Sequence, residues 1–193
     1  MSLREILQRQ SIWTWNIMQR SAQLGEMIRE DAITSVNLAE IMAAAKHESL
    51  ELTIFSNQGA HLEQETGADW QWVALGKYWL VQAKRLDVVP GRGVISYTIV
   101  IPQMWKLIDY AVYLNSLGAG YIPAYVFYNS MIQDSDPANV GCIFVQAADL
   151  ANYIFNQKKP RADQKEITLS PKDVAAAGAK SWFNMFPDNV VID

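Results

Sequence analysis

The chain has 193 residues, of which 50% are hydrophobic and 19% are charged, so it can bury a full-sized core and is not expected to be disordered. Its net charge of −4 excludes a protein that holds long nucleic acid through overall positive charge, although residues 71–110 carry five basic and only two acidic side chains. The single cysteine, Cys142, excludes an internal disulfide and a cysteine-based zinc site, and with only two histidines any metal ion would depend on carboxylates, which favours Mg²⁺.

The N-terminal segment predicts a helix. Ser2 and Glu5 have the spacing of a capping box, and apolar residues recur at helical intervals to about Arg20. Glu5 and Arg9 interrupt the apolar stretch that a signal peptide would need, and no apolar run approaches the length that spans a membrane. We therefore expect a cytoplasmic protein, without membrane attachment, that begins with a helical extension over residues 1–20.

Two further helical stretches precede the first strand. They are predicted over residues 22–31 and 35–46, and the strand over residues 50–55. Glu26 and Glu30 lie one turn apart in the first stretch and would share a helix face.

Residues 63–86 predict a β-hairpin. The two strands cover about residues 68–75 and 78–86, and Gly76-Lys77 joins them as a type II′ turn. In this register Asp69 lies directly opposite Lys84, with Cβ atoms about 4.5–5.5 Å apart.

The two faces of this hairpin differ in chemistry. Asp69, Gln82 and Lys84 fall on one face near the open end of the hairpin. The other face carries three indoles, which need an apolar layer to pack against and are expected to be core: Trp70, Trp72 and Trp79.

The remaining elements follow in order. After a loop at 87–93 we expect a strand over 94–101, a helix over 102–117 and a buried strand over 121–128. A loop to residue 140 then leads to a short strand over 141–145 and a helix to about 157. A last helix, capped by Ser170, is expected to end at about 179. The order from the second helix onward is α–β–β–β–α–β. We expect one domain over residues 1–193, with residues 141–193 as a C-terminal elaboration.

The polar residues also have ordinary structural interpretations. Asp69 and Lys84 can form a cross-strand ion pair worth about 0.2–1 kcal/mol when exposed. Gln82 can be a polar strand residue and Gln103 an ordinary residue at a helix start. His47 and His61 are expected at the surface rather than as ligands. The residues that end the buried strand can be packing residues or can line a cleft: Tyr125, Tyr128 and Asn129.

The hairpin carries a family resemblance. Gly67-Ala68-Asp69, followed by Gln82-Ala83-Lys84, resembles the PD-(D/E)xK nuclease superfamily, whose members carry an acidic residue on the second core strand and (D/E)-x-K or Q-x-K on the third. The Gln-x-Lys form is most similar to Mrr-type restriction endonucleases. The phrases ETGADWQW, WLVQAKRL and PAYVFYN also resemble a family of uncharacterised bacterial proteins. The resemblance covers about residues 23–130 and implies an α/β, restriction-endonuclease-like core in which a mixed sheet is flanked by helices.

This resemblance implies a catalytic site. Asp69 would be the principal ligand of Mg²⁺ or Mn²⁺, Gln82 would offer an amide oxygen, and Lys84 would stabilise charge on the attacking hydroxide or the phosphate. Because Gln82 replaces a carboxylate, a further carboxylate is expected. Glu30 is the first choice for this metal ligand, and Glu65 and Glu26 are the alternatives. The other residues assigned to the site are Gln103 in support and Lys77, Arg85 and Arg92 in substrate binding.

The implied function is a metal-dependent endonuclease acting on DNA, in restriction or phage defence. Cutting both strands of a duplex needs two sites, which favours a homodimer, with Trp13 and Trp15 of the first helix at the interface, or a partner protein that supplies specificity. The alternative is a catalytically inactive nuclease-fold module that binds nucleic acid or protein. Gln82 and the net negative charge favour this alternative, and Lys84 favours the enzyme.

Overall fold

The structure, a computed structural model, describes residues 1–45, 50–55, 60–88, 95–130, 132 and 135–186. Arg92, His47 and the side chain of His61 lie outside the described residues, so their predicted roles stay predictions.

The helices of the described residues alternate with strands. The α-helices are α1 (Leu3–Gln23), α2 (Glu30–Ala44), α3 (Ala60–Thr66), α4 (Ile101–Ser116), α5 (Pro137–Val140), α6 (Ala147–Tyr153) and α7 (Pro171–Ala176). A π-helical turn follows α6, and a 3₁₀ turn covers Trp182–Met185. The predicted capping box at Ser2 is confirmed, and Ser170 caps α7 in the same way.

The strands of the described residues form two sheets. Their strands are β1 (Glu51–Ile54), β2 (Trp70–Ala74), β3 (Lys77–Arg85), β4 (Asp87–Val88), β5 (Ile95–Val100), β6 (Tyr121–Tyr128), β7 (Cys142–Gln146), β8 (Glu166–Leu169) and β9 (Lys180–Ser181). The main sheet has the order β1-β2-β3-β6-β7-β9 and is mixed, because only β3 and β6 run parallel. The second sheet, β4-β5-β8, contains the predicted strand at 94–101 and a strand, β8, that was not predicted from the sequence. The protein is thus α/β, as expected, with a mixed sheet flanked by helices.

The predicted hairpin forms with a different turn. Ala74 pairs with Lys77, and the two turn residues are Leu75 and Gly76, both with positive φ. Positive φ at both central positions is typical of a type I′ turn, so the predicted type II′ turn at Gly76-Lys77 was wrong. The resulting register differs by two residues from the predicted one. Because side chains alternate with period two, the faces are unchanged.

Helices cover both faces of the main sheet. The tryptophan face is buried as predicted, with Trp70, Trp72 and Trp79 at most 4% exposed. Trp72 also contacts the ring of Trp182 from the C-terminal 3₁₀ turn. The opposite face carries Gln82 and Lys84 and is packed by α4 and by α6.

Helix α1 belongs to this core. The carbonyl of Leu7 accepts a hydrogen bond from Trp182 Nε1, and Ser11 Oγ accepts one from the backbone N–H of Cys142. Trp15 is buried, and Trp13 is partly buried against the core. Trp15 is therefore part of its own chain's core and is not free to form the predicted dimer interface, and Trp13 packs against the same core. The homodimer itself stays a prediction. No helix in the described part of the chain is long and apolar enough to cross a membrane.

Candidate active site

The open end of the β2–β3 hairpin leaves backbone donors unpaired by the sheet. Pairing with β2 ends at Val81, whereas β3 continues to Arg85. Two carboxylates take over the pairing: Asp69 Oδ2 accepts from the Ala83 N–H at 2.7 Å, and Glu30 Oε2 accepts from the Arg85 N–H at 2.7 Å. These two donors are two residues apart, about 7 Å along β3, so both carboxylates lie at the same end of this strand.

Backbone contacts on both sides fix the position of Asp69. Its N–H donates to the Val81 carbonyl at 2.8 Å, and its carbonyl accepts from the Phe55 N–H at 2.9 Å. Gly67 makes the approach to this strand possible, because it has φ +69° and a Cβ there would lie 2.5 Å from the Gln103 carbonyl. The Gly-Ala-Asp sequence thus brings the start of β2 against the first turn of α4.

Glu30 reaches the site from the start of α2. It is the first helical residue, not part of a helix over 22–31, and Glu26 lies in the exposed connection before it. Glu30 Oε1 lies 3.5 Å from Lys84 Nζ. The predicted pairing of Asp69 with Lys84 was therefore wrong. The two-residue register shift places Gln82 beside Asp69, and Lys84 forms an ion pair with Glu30 instead.

The amide of Gln82 is buried, and both its nitrogen and its oxygen are hydrogen-bonded. Its Nε2 donates to Asp69 Oδ2 at 2.8 Å and to the Ala83 carbonyl at 3.1 Å. Its Oε1 accepts from Gln103 Nε2 at 2.7 Å, so Gln103 faces the site as expected. The Gln82 oxygen, predicted as a metal ligand, points to Gln103 instead, because two acceptors attract the nitrogen. We call Glu30, Asp69, Gln82, Lys84 and Gln103 the hairpin-end cluster.

This cluster borders a cleft of about 650 Å³. Recesses of about 330 Å³ at Gln103 and about 110 Å³ at Asp69 adjoin it. Glu63 of α3 lines all three, whereas Glu65, the predicted ligand from this segment, is exposed and lines none of them. Glu63 was not among the predicted site residues, because residues 63–67 were included in the segment predicted as a β-hairpin and no helix was expected there. Gly67, as a helix-ending glycine, was the available signal for α3.

Burial raises the pKa of both carboxyl groups. The pKa of Asp69 is raised to about 7, chiefly by burial and further by the negative charges of Glu30 and Glu63, against the opposing effects of the Ala83 N–H and Lys84. Burial likewise raises the pKa of Glu30, although Lys84 and the Arg85 N–H oppose the shift. A nearby positive charge would favour the ionised form of both carboxyl groups.

The predicted substrate-binding residues occupy different places. Arg85 lines the cleft, but its side chain donates to the Ile28 carbonyl and pairs with Asp87. Lys77 lies at the turn, seven residues from Lys84 and thus about 23 Å away along β3, so it is not part of this site.

The tyrosines that end β6 do not line the cleft. Tyr125 and Tyr128 are fully buried, and the Tyr128 hydroxyl is hydrogen-bonded to Thr34 Oγ1. Asn129 is also buried and donates to the Val140 carbonyl. Their packing interpretation is confirmed.

The hairpin-end cluster contains oxygen atoms of the type that a hard divalent cation prefers as ligands. Asp69 and Glu30 supply carboxylate oxygens, and the Ala83 carbonyl lies beside Asp69 through their shared contact with Gln82. Within the described ranges, however, no three side chains of the types His, Cys, Asp and Glu are grouped closely enough to hold a metal ion. A cation here would therefore need amide, carbonyl or water oxygens besides the carboxylates.

A family model described as "Family of unknown function (DUF6615)" matches residues 3–183. The chain belongs to this family. No curated protein matches the sequence. The matched part of this DUF6615 protein includes the whole hairpin-end cluster and the residues that line its cleft.

Replacement of Asp69 by asparagine is expected to change how the stability of the DUF6615 protein depends on pH. The Asp69 pKa is about 7 in the folded protein and about 3.9 in an unfolded chain. The folded state therefore favours the neutral acid, and this stability is present below pH 4 and lost as the pH rises through 7. Relative to Asp69→Asn, the wild type should lose on the order of 2 kcal/mol of unfolding free energy between pH 4 and pH 8.

Urea denaturation across this pH range measures the effect. Asp109→Asn, on the exposed side of α4, is the control and should follow the wild-type profile. Parallel profiles for wild type and Asp69→Asn would show that Asp69 titrates normally.

Proposed function

We propose that this protein is a metal-dependent phosphodiester hydrolase, acting on nucleic acid and on DNA in particular, with a PD-(D/E)xK nuclease core. The observation that carries the proposal is the convergence of Asp69, Gln82, Lys84 and Glu30 at one hairpin end beside an open cleft. The elements α2, β1, β2, β3, α4 and β6 occur in the order expected of this core, with α3 inserted after β1 and two strands, β4 and β5, inserted after β3. The parallel pairing of β3 with β6 also supports the proposal.

The proposed mechanism gives metal binding to the carboxylates and charge stabilisation to Lys84. Asp69 and Glu30 would hold Mg²⁺ or Mn²⁺, and Gln82 would be a neutral third ligand once its amide oxygen faced the ion. The ion supplies the polarisation of the phosphate and of the attacking water. Lys84, whose ammonium lies at the cleft wall, stabilises the negative charge that develops on phosphate. Glu30 holds this ammonium in place.

The direct test is incubation of the purified protein with plasmid, linear duplex, single-stranded DNA and RNA, each with Mg²⁺, Mn²⁺ or EDTA. Cleavage that requires the divalent ion supports the proposal and defines the substrate. Binding of nucleic acid without cleavage, under all of these conditions, supports the alternative.

This alternative is an inactive nuclease-fold module that binds nucleic acid or protein. The observation that favours it is the orientation of Gln82, whose amide nitrogen lies between the two oxygens where a cation would be expected. The cleft cations Lys84, Arg85 and Arg29 are also each paired with a carboxylate, which weakens their attraction for phosphate.

Replacement of Gln82 by glutamate distinguishes the metal-dependent hydrolase from the inactive binding module. The new carboxylate cannot donate to Asp69, and two adjacent carboxylates repel each other, so the metal-free variant should be less stable by about 2 kcal/mol. A divalent ion should relieve this repulsion. We therefore expect Mn²⁺ to raise the Tm of Gln82→Glu by several degrees more than that of the wild type, with cleavage kept or raised.

Thermal unfolding with and without Mn²⁺ measures this difference. Gln71→Glu, on the same sheet face but bonded to Thr53, is the control for added charge on the hairpin. If Mn²⁺ stabilises Gln82→Glu no more than Gln71→Glu, the carboxylates of Asp69 and residue 82 do not share an ion.

A further inference from the structure

The Gln82 amide is held in one orientation by three contacts. Gln82 is buried, with only 1% of its surface exposed. Its nitrogen lies 2.8 Å from Asp69 Oδ2 and 3.1 Å from the Ala83 carbonyl oxygen, and its oxygen lies 2.7 Å from Gln103 Nε2. Each donor and acceptor role is therefore set by a neighbour, and the nitrogen occupies the space between two hard oxygens.

A half-turn of this amide would exchange its oxygen and nitrogen without changing its volume. The oxygen would then lie about 2.8 and 3.1 Å from Asp69 Oδ2 and the Ala83 carbonyl, the distances that the nitrogen has now. Adjacent oxygens around an octahedral Mg²⁺, with metal–oxygen distances of 2.0–2.1 Å, are about 3 Å apart. The turned oxygen would repel both of these oxygens in the absence of a cation, but its distance to each of them is the spacing of two adjacent ligands of a divalent cation.

Gln103 can bond to Gln82 in either orientation. It lies in the first turn of α4, and its amide now donates to the Gln82 oxygen. If Gln82 turns, Gln103 can turn as well and accept from the Gln82 nitrogen, because a glutamine amide carries both a donor and an acceptor. A side chain with only one of these roles would favour one orientation.

We propose that Gln82 and Gln103 form a two-amide switch in which Gln103 is the positioning residue. In the closed orientation the Gln82 nitrogen fills the cation position beside Asp69, and in the open orientation both amides have turned and the Gln82 oxygen faces the cation. This inference rests on the proposed metal-dependent function and adds that cation entry requires the two amides to turn together.

The test replaces Gln103 by glutamate, which can only accept and therefore favours the open orientation. We expect Gln103→Glu to bind Mn²⁺ at least tenfold more tightly than a charge control, since a hydrogen bond to a charged group is worth about that factor. The control is Gln64→Glu, which adds the same charge to the same recess without touching Gln82. Gln103→Leu, which can bond to neither orientation, should bind within about threefold of wild type. Isothermal titration calorimetry with Mn²⁺ measures all four proteins.

Side-chain amide NMR gives a second readout. Titration of ¹⁵N-labelled wild type with Mg²⁺ should move the NH₂ resonances of Gln82 and Gln103 together, and Gln82→Glu and Gln103→Leu assign these resonances. The switch is overturned if Gln103→Glu binds Mn²⁺ no better than Gln64→Glu, if the Gln82 resonances move alone, or if no variant binds a cation. Tight binding and coupled shifts in a protein that cleaves no nucleic acid would support the switch and remove the proposed enzymatic function.

Discussion

Replacement of Lys84 by alanine is expected to reduce metal-dependent cleavage about 10²–10³-fold, the usual effect of removing a group that stabilises transition-state charge. Lys84 is suited to this role because its ammonium lies at the cleft wall, 3.5 Å from Glu30, with a side chain only 14% exposed. The fold should tolerate the change, because Glu30 keeps its bond from the Arg85 N–H. The expected loss of stability is about 1 kcal/mol.

The control for this variant lies on the same strand. Lys77→Ala removes an exposed ammonium at the turn, outside the cleft, and should leave the cleavage rate within about twofold. Rates on the preferred substrate and urea denaturation of both variants separate chemistry from folding. Equal cleavage by Lys84→Ala and wild type would place the chemistry elsewhere in the molecule.

Replacement of Asp69 by alanine is expected to have the largest combined effect. Its carboxylate accepts hydrogen bonds from the Ala83 N–H and from Gln82 Nε2, and alanine leaves both donors without this acceptor. The expected cost is about 2–3 kcal/mol of stability. Asp69→Asn keeps one acceptor oxygen and should cost less than half as much.

Both variants should lose divalent-ion binding and, with it, at least about 10²-fold in cleavage rate, because each lacks the principal anionic ligand. The matched control is Glu65→Gln, which removes an exposed carboxylate outside the cleft and should change neither property. Calorimetry with Mn²⁺ and the cleavage assay measure these effects. Activity retained in Asp69→Asn would refute the role of Asp69 as a metal ligand, since its fold should be intact.

The pH dependence of cation binding should reflect the same residue. A cation binds the ionised carboxylate, and the Asp69 pKa is raised to about 7 by burial. Proton and cation therefore compete below neutrality, where apparent affinity should fall as the pH is lowered. A bound cation should in turn favour the ionised form of Asp69 and lower its pKa.

Local sequence determined much of this architecture. The capping box at Ser2 starts α1 where it was predicted, and alternation along the hairpin placed Asp69, Gln82 and Lys84 on one face. Side-chain alternation with period two made this placement insensitive to the predicted turn, because a register shift of two residues preserves the faces. The tryptophans were identified as core for the same reason.

The tertiary structure alone decided which polar groups meet. Because β2 starts late and β3 ends late, two N–H groups of β3 need acceptors, and the start of α2 brings Glu30 to one of them. No local pattern in the sequence encodes this contact, since Glu30 and Arg85 are 55 residues apart. The packing of α2, α3 and α4 around one strand end decides three further features. Glu63 rather than Glu65 lines the cleft, Lys84 pairs with Glu30, and the Gln82 amide takes its observed orientation. Packing between distant segments therefore determined the chemistry of the site, while local periodicity determined the strand that carries it.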